Sequence, residues 1–346
     1  MEKYNFVKVQ QQVNKIFKEK KCLHPDNLNC SGGIIRSHTI QKNGALRNIE
    51  GPEGHVWGFV QNKKFDESGP FIVDKVSINE ASTFNGFCGN HDNKLFHCVD
   101  DYDFEPTDEQ VFMLTYRTVV RELYTKTASV KSNPHIDTII KEIPDLLSRK
   151  ILEDEVAAMN EGSVRGKEYA TKVVADMFHR LRRNDFSEIR YFLIKTKDYP
   201  KVVTSGAFMP DFDYDDKKIN DYKKDEVYWI ALNIFSDSKN GLILFSWLDN
   251  EKSEQFIKSL LYQEDIPNKA IEIAFTNIEN TYFSKKWWDS LKVIHQSRIK
   301  KMVENWIHYN LETGKYTGIR RNNLHYVSFD IISQTDNFHI KKMNKT

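Results

Sequence analysis

Cysteine and histidine side chains are concentrated in the first third of the chain, where all four cysteines lie between Cys22 and Cys98. Cys22 and Cys30 bound one short loop, and Cys88 is followed after two residues by His91. Two ligands three positions apart on a tight turn can face one ion, and sulfur with imidazole nitrogen is a donor set of tetrahedral zinc. The spacing therefore predicts a split zinc site that joins the two ends of this stretch.

The predicted ligands of a structural zinc ion are Cys22, Cys30, Cys88 and His91. His24 is an alternative fourth ligand, and if it binds zinc then His91 is left for a second metal ion. Four protein ligands fill a tetrahedron and leave no open position for chemistry. The alternative interpretation is that the thiols are buried as small apolar side chains. Cys98 is predicted to be such a spare thiol, because it lies too far along the helix from Cys88.

Several predicted elements must bring these ligands together. Apolar side chains at helical spacing within residues 4–20 predict an amphipathic helix that leads into the cysteines. Short strands are predicted over residues 34–38, 55–60 and 71–78. Helical character begins again near Cys88. A cysteine loop, then strands, then Cys-x-x-His at a helix start is the order of elements in a treble-clef zinc module.

Two segments of this stretch resemble the HNH-type nucleases, also called ββα-metal nucleases. The tetrapeptide at residues 37–40, Ser-His-Thr-Ile, is similar to the family's His-Ile-Ile turn after a short strand. Residues 85–92 read Asn-Gly-Phe-Cys-Gly-Asn-His-Asp, which is similar to the family's closing Asn, Cys-x-x-Cys and helix-borne His. The resemblance covers roughly residues 20–100.

The resemblance implies catalytic roles for three residues. His38 would be the general base that takes a proton from water, and Asn85 would orient the His38 ring. Asp92 would hold a catalytic Mg²⁺ or Mn²⁺ ion. The chain departs from the family pattern at Ser37, where an acid often stands, and at Asp92, which replaces a histidine. The long interval between His38 and Asn85 implies an inserted segment.

The whole chain is predicted to have an α+β fold with three domains. They are residues 1–105, a zinc-bound HNH-like module; residues 106–185, a helical region; and residues 186–346, an α+β module with an antiparallel meander covered by helices. Thr107 and Gln110 form a capping box that starts the helical region. Further helices are predicted over residues 137–150 and 164–183, and the Asn240-Gly241 dipeptide predicts a hairpin in the last module.

A second motif lies near the end of the chain. Arg320 and His325 have the Arg-x(4)-His spacing of the HEPN ribonuclease motif, which belongs on a helix. The aromatic and β-branched neighbours of this segment favour a strand instead. This motif is therefore not chosen as the active site.

The bulk composition limits the classes of partner. The net charge is +1, so binding to nucleic acid requires a local basic patch. No run of about 18 apolar residues predicts a membrane span, and thiols without a secretion signal favour a cytoplasmic location. We predict a metal-dependent endonuclease that cleaves DNA and serves bacterial antiviral defence. A non-enzymatic, zinc-stabilised binding or sensor protein is the alternative, and a protein partner or a homo-oligomer is left open.

Overall fold

The structure is a computed structural model that describes residues 3–26, 28–62, 71–221, 227–305 and 325–338. Its described helices are α1 Lys3–Phe17, α2 Gly89–Asp100, α3 Asp108–Lys141, α4 Leu146–Leu181, α5 Glu251–Leu261, α6 Ile266–Asn277, α7 Lys285–Ser290 and α8 Val293–Asn305. Its described strands are β1 Ile34–His38, β2 His55–Gln61, β3 Phe71–Ser77, β4 Thr83–Cys88, β5 Ile189–Thr196, β6 Val202–Phe208, β7 Ile230–Ser236, β8 Gly241–Leu248, β9 Thr281–Phe283 and β10 Ile331–Asp336.

Eight of these strands form one antiparallel sheet, in the order β10-β5-β8-β7-β6-β9-β2-β3. The α+β class predicted from the sequence is therefore confirmed. Strands β6, β7 and β8 are joined as a meander, and the hairpin at Asn240-Gly241 connects the last two. Strand β5 lies beside β8 rather than beside β6, so the four predicted strands do not follow one another across the sheet.

Helices cover both faces of the large sheet. The side chains of β8 alternate between two cores: Leu242 and Leu244 join the core that includes α2 and α3, whereas Ile243, Phe245 and Trp247 join the core under α5 and α6. Because both faces are covered, the central strands are apolar on both sides and read as nearly continuous hydrophobic runs.

The helical region is a long antiparallel hairpin of α3 and α4. Its start is confirmed, because Thr107 accepts a hydrogen bond from the Gln110 backbone N–H at 3.2 Å. Helix α3 ends at Lys141 and α4 begins at Leu146, so the turn between them falls inside the helix predicted over residues 137–150. That prediction was wrong at this point, because Pro144 lies in the turn and a proline cannot continue the preceding helix.

A second, two-stranded sheet pairs β1 with β4. The pairing register shifts by a bulge between Ile35 and Ser37, opposite Asn85 and Gly86. The segment between β1 and β4 includes β2 and β3. These two strands pair with each other, and β2 pairs with β9, so both belong to the large sheet. The insertion expected between His38 and Asn85 is thus a hairpin of the large sheet. The three-domain division stays a prediction.

Candidate metal centre

Three chain segments carry the predicted ligands to one place. After α1, the backbone N–H groups of Lys21 and Leu23 donate to carbonyl oxygens of β4, at 3.1 Å to Asn85 and 2.8 Å to Gly86. These bonds hold Cys22 beside the strand that ends in Cys88.

The loop after Cys30 approaches the start of α2. Gly32 and Gly33 have φ angles of +77° and +66°, a left-handed conformation that glycine adopts without a Cβ clash. The Gly89 N–H then donates to the Gly33 carbonyl at 2.9 Å, and the Asn90 N–H donates to the Ser31 carbonyl at 3.2 Å. The turn thus places the Cys30 loop against the helix that carries His91.

The four predicted ligands converge. The donor atoms of Cys22, Cys30, Cys88 and His91 all lie within 4.8 Å of one another. The His91 Nδ1 atom lies 3.4, 3.7 and 3.3 Å from the sulfur atoms of Cys22, Cys30 and Cys88 respectively. A tetrahedral zinc ion with bonds of about 2.3 Å to sulfur and about 2.0 Å to nitrogen would place these atoms about 3.5 Å apart. The group is therefore positioned to bind a metal ion such as zinc.

Local hydrogen bonds prepare the Cys88 sulfur for a metal. Burial raises the pKa of the Cys88 thiol, but the backbone N–H groups of His91 and Ser31, together with the neighbouring thiols of Cys22 and Cys30, lower it by more, so that the net pKa lies below its usual value. Since the thiolate is the form that binds metal, these N–H groups favour the ligand state. Cys88 and His91 are buried, whereas Cys30 lies at the exposed side of the group.

His24 lies beside the ligand group rather than within it. Its ring stacks on the His91 ring, with centroids 3.8 Å apart and an interplanar angle of 15°. Its Nδ1 atom accepts a hydrogen bond from the Asp26 backbone N–H at 3.2 Å, and its ring makes a T-shaped contact with the Phe178 ring in α4, with centroids 5.2 Å apart. His24 therefore supports the orientation of His91 and connects it to the helical hairpin.

Ser37 and Asp92 form a contact next to this group. Ser37 is buried at the end of β1, and its hydroxyl donates to the Asp92 carboxylate in the first turn of α2. Burial raises the pKa of Asp92 to about 6. His38, the next residue of β1, is half-buried, with Nε2 at 3.4 Å from the Ile78 carbonyl oxygen. Burial lowers the pKa of His38, and the nearby charges of Lys42 and Arg117 lower it further.

Asn85 faces away from His38. Its side-chain amide donates to the Lys18 carbonyl oxygen at 3.1 Å, on the side of the small sheet next to the end of α1. Within the described part of the chain, no hydrogen bond joins His38 to Asn85 or to Asp92. The structure therefore places Ser37 in contact with Asp92. The Asn85 amide contacts Lys18 and not the His38 ring that it was predicted to orient.

An ion pair between the buried Arg117 and the exposed Asp100 lies near both His38 and Asp92. Arg117 in α3 is only 2% exposed, donates to both carboxylate oxygens of Asp100, and lies over the Phe96 ring at 4.0 Å. Local sequence patterns do not reveal this pair, because Asp100 and Arg117 lie on different helices. A solvated face is the usual interpretation of charges on a helix, and that interpretation is wrong for Arg117. The available signal was its position between Tyr116 and Val120, inside an apolar stripe.

The second motif falls partly outside the described residues, because Arg320 lies in the segment that the structure leaves out. His325 is described, and its Nδ1 atom lies 2.6 Å from an Asp265 carboxylate oxygen. Cys98 is half-buried against the core and is not part of the ligand group, as predicted.

Comparison with known proteins adds no relative. No family model, no curated protein and no solved structure matches this chain. Among the described helices, none combines the length and the apolar character that crossing a bilayer requires.

Proposed function

We propose that this protein is a zinc-braced, metal-dependent endonuclease of the HNH type, acting on DNA. The observation that carries the proposal is the contact between Ser37 and Asp92. In the family that the sequence resembles, these are the two positions that face the catalytic metal ion, one before the catalytic histidine and one on the helix. Their contact across β1 and α2, next to His38, agrees with a treble-clef arrangement of these elements.

The zinc ion in this proposal is structural. Its four protein ligands leave no open position, so hydrolysis would occur at a second site. Zinc joins the loop after α1, the end of β4 and the first turn of α2. It thereby fixes the strand that carries His38 against the helix that carries Asp92.

His38 has the properties of a general base. A lowered pKa keeps its imidazole neutral at pH 7, which is the form that can take a proton from water. Asp92 would supply carboxylate oxygen to Mg²⁺ or Mn²⁺, ions that lower the pKa of bound water and neutralise phosphate charge. Since Ser37 stands where an acid is common, this site has one carboxylate fewer, and we expect it to bind the ion weakly.

A local basic tract supports a nucleic-acid partner. The exposed lysines from the last turn of α1 to the first proposed zinc ligand are Lys15, Lys18, Lys20 and Lys21. Glu19, the acid among them, is bound to Lys131 in α3. The Lys18 carbonyl holds the Asn85 amide, so the tract borders the small sheet. Lysines that contact phosphates release counterions, and this would make binding depend steeply on salt.

Plasmid nicking in Mg²⁺ or Mn²⁺ tests the proposal. We expect the wild-type protein to cut and His38→Ala to lose at least about 100-fold in rate, because general-base catalysis contributes on that order. His135→Ala, a histidine in the distant part of α3, should cut like wild type. Equal cutting by wild type and His38→Ala would exclude His38 as the base.

A non-enzymatic, zinc-stabilised binding protein is the second candidate. Two observations favour it: the Asn85 amide is held by Lys18 instead of His38, and Ser37 provides no carboxylate. One measurement separates the two candidates. A binding protein would bind DNA with a steep salt dependence but would not nick it in Mg²⁺ or Mn²⁺, whereas the nuclease would do both. A role in bacterial antiviral defence stays a prediction.

A further inference from the structure

The turn between β3 and β4 contacts both the backbone next to His38 and the His38 ring. It covers residues 78–82, between the last residue of β3 and the first residue of β4. The Thr39 N–H, directly after His38, donates to the Ser82 carbonyl oxygen at 3.0 Å. The His38 Nε2 atom lies 3.4 Å from the Ile78 carbonyl oxygen, at the other end of the same turn. The position of His38 therefore depends on where this turn is held.

Side chains at the start of β9 hold this turn against the large sheet. Asn280, the residue before β9, is fully buried, and its side-chain nitrogen lies 2.9 and 3.1 Å from the hydroxyl oxygens of Thr39 and Ser82. The same nitrogen lies 2.8 Å from the Ser205 carbonyl oxygen in β6. Tyr282 in β9 adds a bond, because its hydroxyl oxygen accepts from the Ser82 N–H at 3.0 Å. The turn is thus bonded to two strands of the large sheet.

The backbone of Ser82 is strained. Its φ angle is +58°, in the left-handed region that residues other than glycine rarely adopt. A conformation of this kind persists where the surrounding contacts fix it. Here the Ser82 hydroxyl is bonded to the Thr39 hydroxyl at 2.6 Å and accepts from the Ile40 N–H at 3.0 Å. The turn is therefore held in one conformation against the chain that follows His38.

The other polar atom of the Asn280 side chain is not used in this way. Its Oδ1 atom is buried and has no hydrogen-bond partner among the residues that the structure describes. A buried acceptor without a donor is destabilising, and an aliphatic side chain would avoid that cost. The asparagine is therefore explained by the three oxygen atoms that its nitrogen contacts.

Two separate sets of contacts fix the small sheet around His38. Next to Cys88, the strands lead into the ligand group. Next to the pair of His38 and Thr83, they lead into the turn that Asn280 contacts. A general base must lie within hydrogen-bond distance of its water, and a misplacement of about 1 Å costs on the order of 100-fold in rate. The second set of contacts is thus placed to affect catalysis.

We propose that Asn280 is a positioning residue of the nuclease site, which fixes the His38 ring through Thr39 and the turn at residues 78–82. This inference rests on the proposed function, in which His38 is the general base. In the described part of the chain, no hydrogen bond joins Asn280 to His38 or to Asp92. Asn280 therefore acts through the backbone on both sides of the turn and not on the reacting atoms.

Steady-state plasmid nicking by the full-length zinc protein tests this role. Asn280→Ala should lower kcat by at least about 10-fold and leave KM for DNA within about two-fold, because the His38 ring loses its alignment while the DNA contacts remain. Asn277→Ala is the matched control, since its amide donates to the Ile273 carbonyl oxygen at 3.1 Å within α6. It should cut like wild type. A wild-type kcat in Asn280→Ala overturns the proposal, and so does an equal loss in Asn277→Ala.

A pair of changes at Thr39 gives the same test if Asn280→Ala does not fold. Thr39→Val keeps the shape of the side chain and removes the hydroxyl that Asn280 contacts, so kcat should fall in the same way. Thr39→Ser keeps that hydroxyl and should have the kcat of wild type. Equal kcat values in Thr39→Val and Thr39→Ser count against the proposal.

Histidine NMR separates failure of this inference from failure of the proposed function. If the wild type does not nick DNA in Mg²⁺ or Mn²⁺, the nuclease proposal fails, and the His38 ring signal then decides the role of Asn280. In isotope-labelled zinc protein, the signal that disappears in His38→Ala should shift or split in Asn280→Ala and in Thr39→Val. It should stay unchanged in Asn277→Ala and in Thr39→Ser. An unchanged His38 signal in Asn280→Ala and Thr39→Val would show that Asn280 does not position the ring.

Discussion

The small sheet of β1 and β4 and the large eight-stranded sheet are stabilised in different ways. The small sheet has two strands and a bulge, and an isolated two-stranded sheet is at best marginally stable in water. Its ends meet at four side chains from three segments that are positioned to bind one metal ion. In the large sheet, every residue of β7 is buried, and stabilisation is spread over two apolar cores. The folding of the small sheet should thus depend on each of the four side chains of the ligand group, whereas the large sheet should stay folded after the loss of one core side chain.

The largest expected effect is the loss of a zinc ligand. Cys88→Ser should abolish binding of one zinc ion per chain. It should also unfold the region around the ligand group, which consists of the loop before β1, the small sheet and the start of α2, because structural zinc contributes on the order of 10 kcal/mol to folding. Metal analysis by mass spectrometry and far-UV circular dichroism measure both outcomes. Cys98→Ser, which removes a half-buried thiol outside the ligand group, should keep the zinc. Full zinc occupancy in Cys88→Ser would contradict the ligand assignment.

A deletion in the large sheet should have a smaller, purely energetic effect. Phe245 is fully buried in β8, and Phe245→Ala should lower the free energy of unfolding by about 3–5 kcal/mol. Urea unfolding measures this loss, and metal analysis should still find one zinc per chain. Loss of zinc in this variant would show that the metal-binding region does not fold independently of the large sheet.

The two regions should also respond to pH in opposite directions. Burial under the large sheet raises the pKa of Glu272 from 4.5 to about 7, against the effect of its partner Lys269. The stability gained from protonated Glu272 is therefore present below about pH 4.5 and lost as the pH rises through about 7. The zinc site behaves in the opposite way, because protonation of its ligands releases the metal at low pH.

Glu272→Gln isolates the contribution of this carboxyl group. The free energy of unfolding of wild type minus that of Glu272→Gln should fall by about 1–3 kcal/mol between pH 4.5 and pH 8. The exposed Glu251→Gln in α5 should show no such difference. A constant difference across this range would mean that Lys269 keeps Glu272 ionised throughout.

The smallest expected effect concerns the ring next to the metal group. His24→Ala removes the stacking on His91 and should lower stability by about 0.5–1.5 kcal/mol, with one zinc per chain retained. Zinc loss equal to that of Cys88→Ser would instead make His24 a ligand. Thermal unfolding with metal analysis distinguishes the two outcomes.

The sequence predicted what local patterns determine. The spacing of Cys88 and His91, the Thr107 cap and the Asn240-Gly241 hairpin all depend on residues close together in the chain, and each is found in the structure. Pairing between distant segments could not be predicted in this way. The position of β5 beside β8, the contact of Arg117 with Asp100 and the orientation of the Asn85 amide depend on which elements meet after folding.

The three-residue strand β9 has a consequence for biosynthesis. It lies between β6 and β2, so the β2–β3 hairpin joins the large sheet only after residues 281–283 have left the ribosome. Until then, about two hundred residues of translation separate the hairpin from its neighbour, while all four thiol and imidazole donors are already available. We therefore expect the metal to bind before the large sheet is complete. Until then the β2–β3 hairpin has an unpaired edge, and such an edge is a binding site for chaperones.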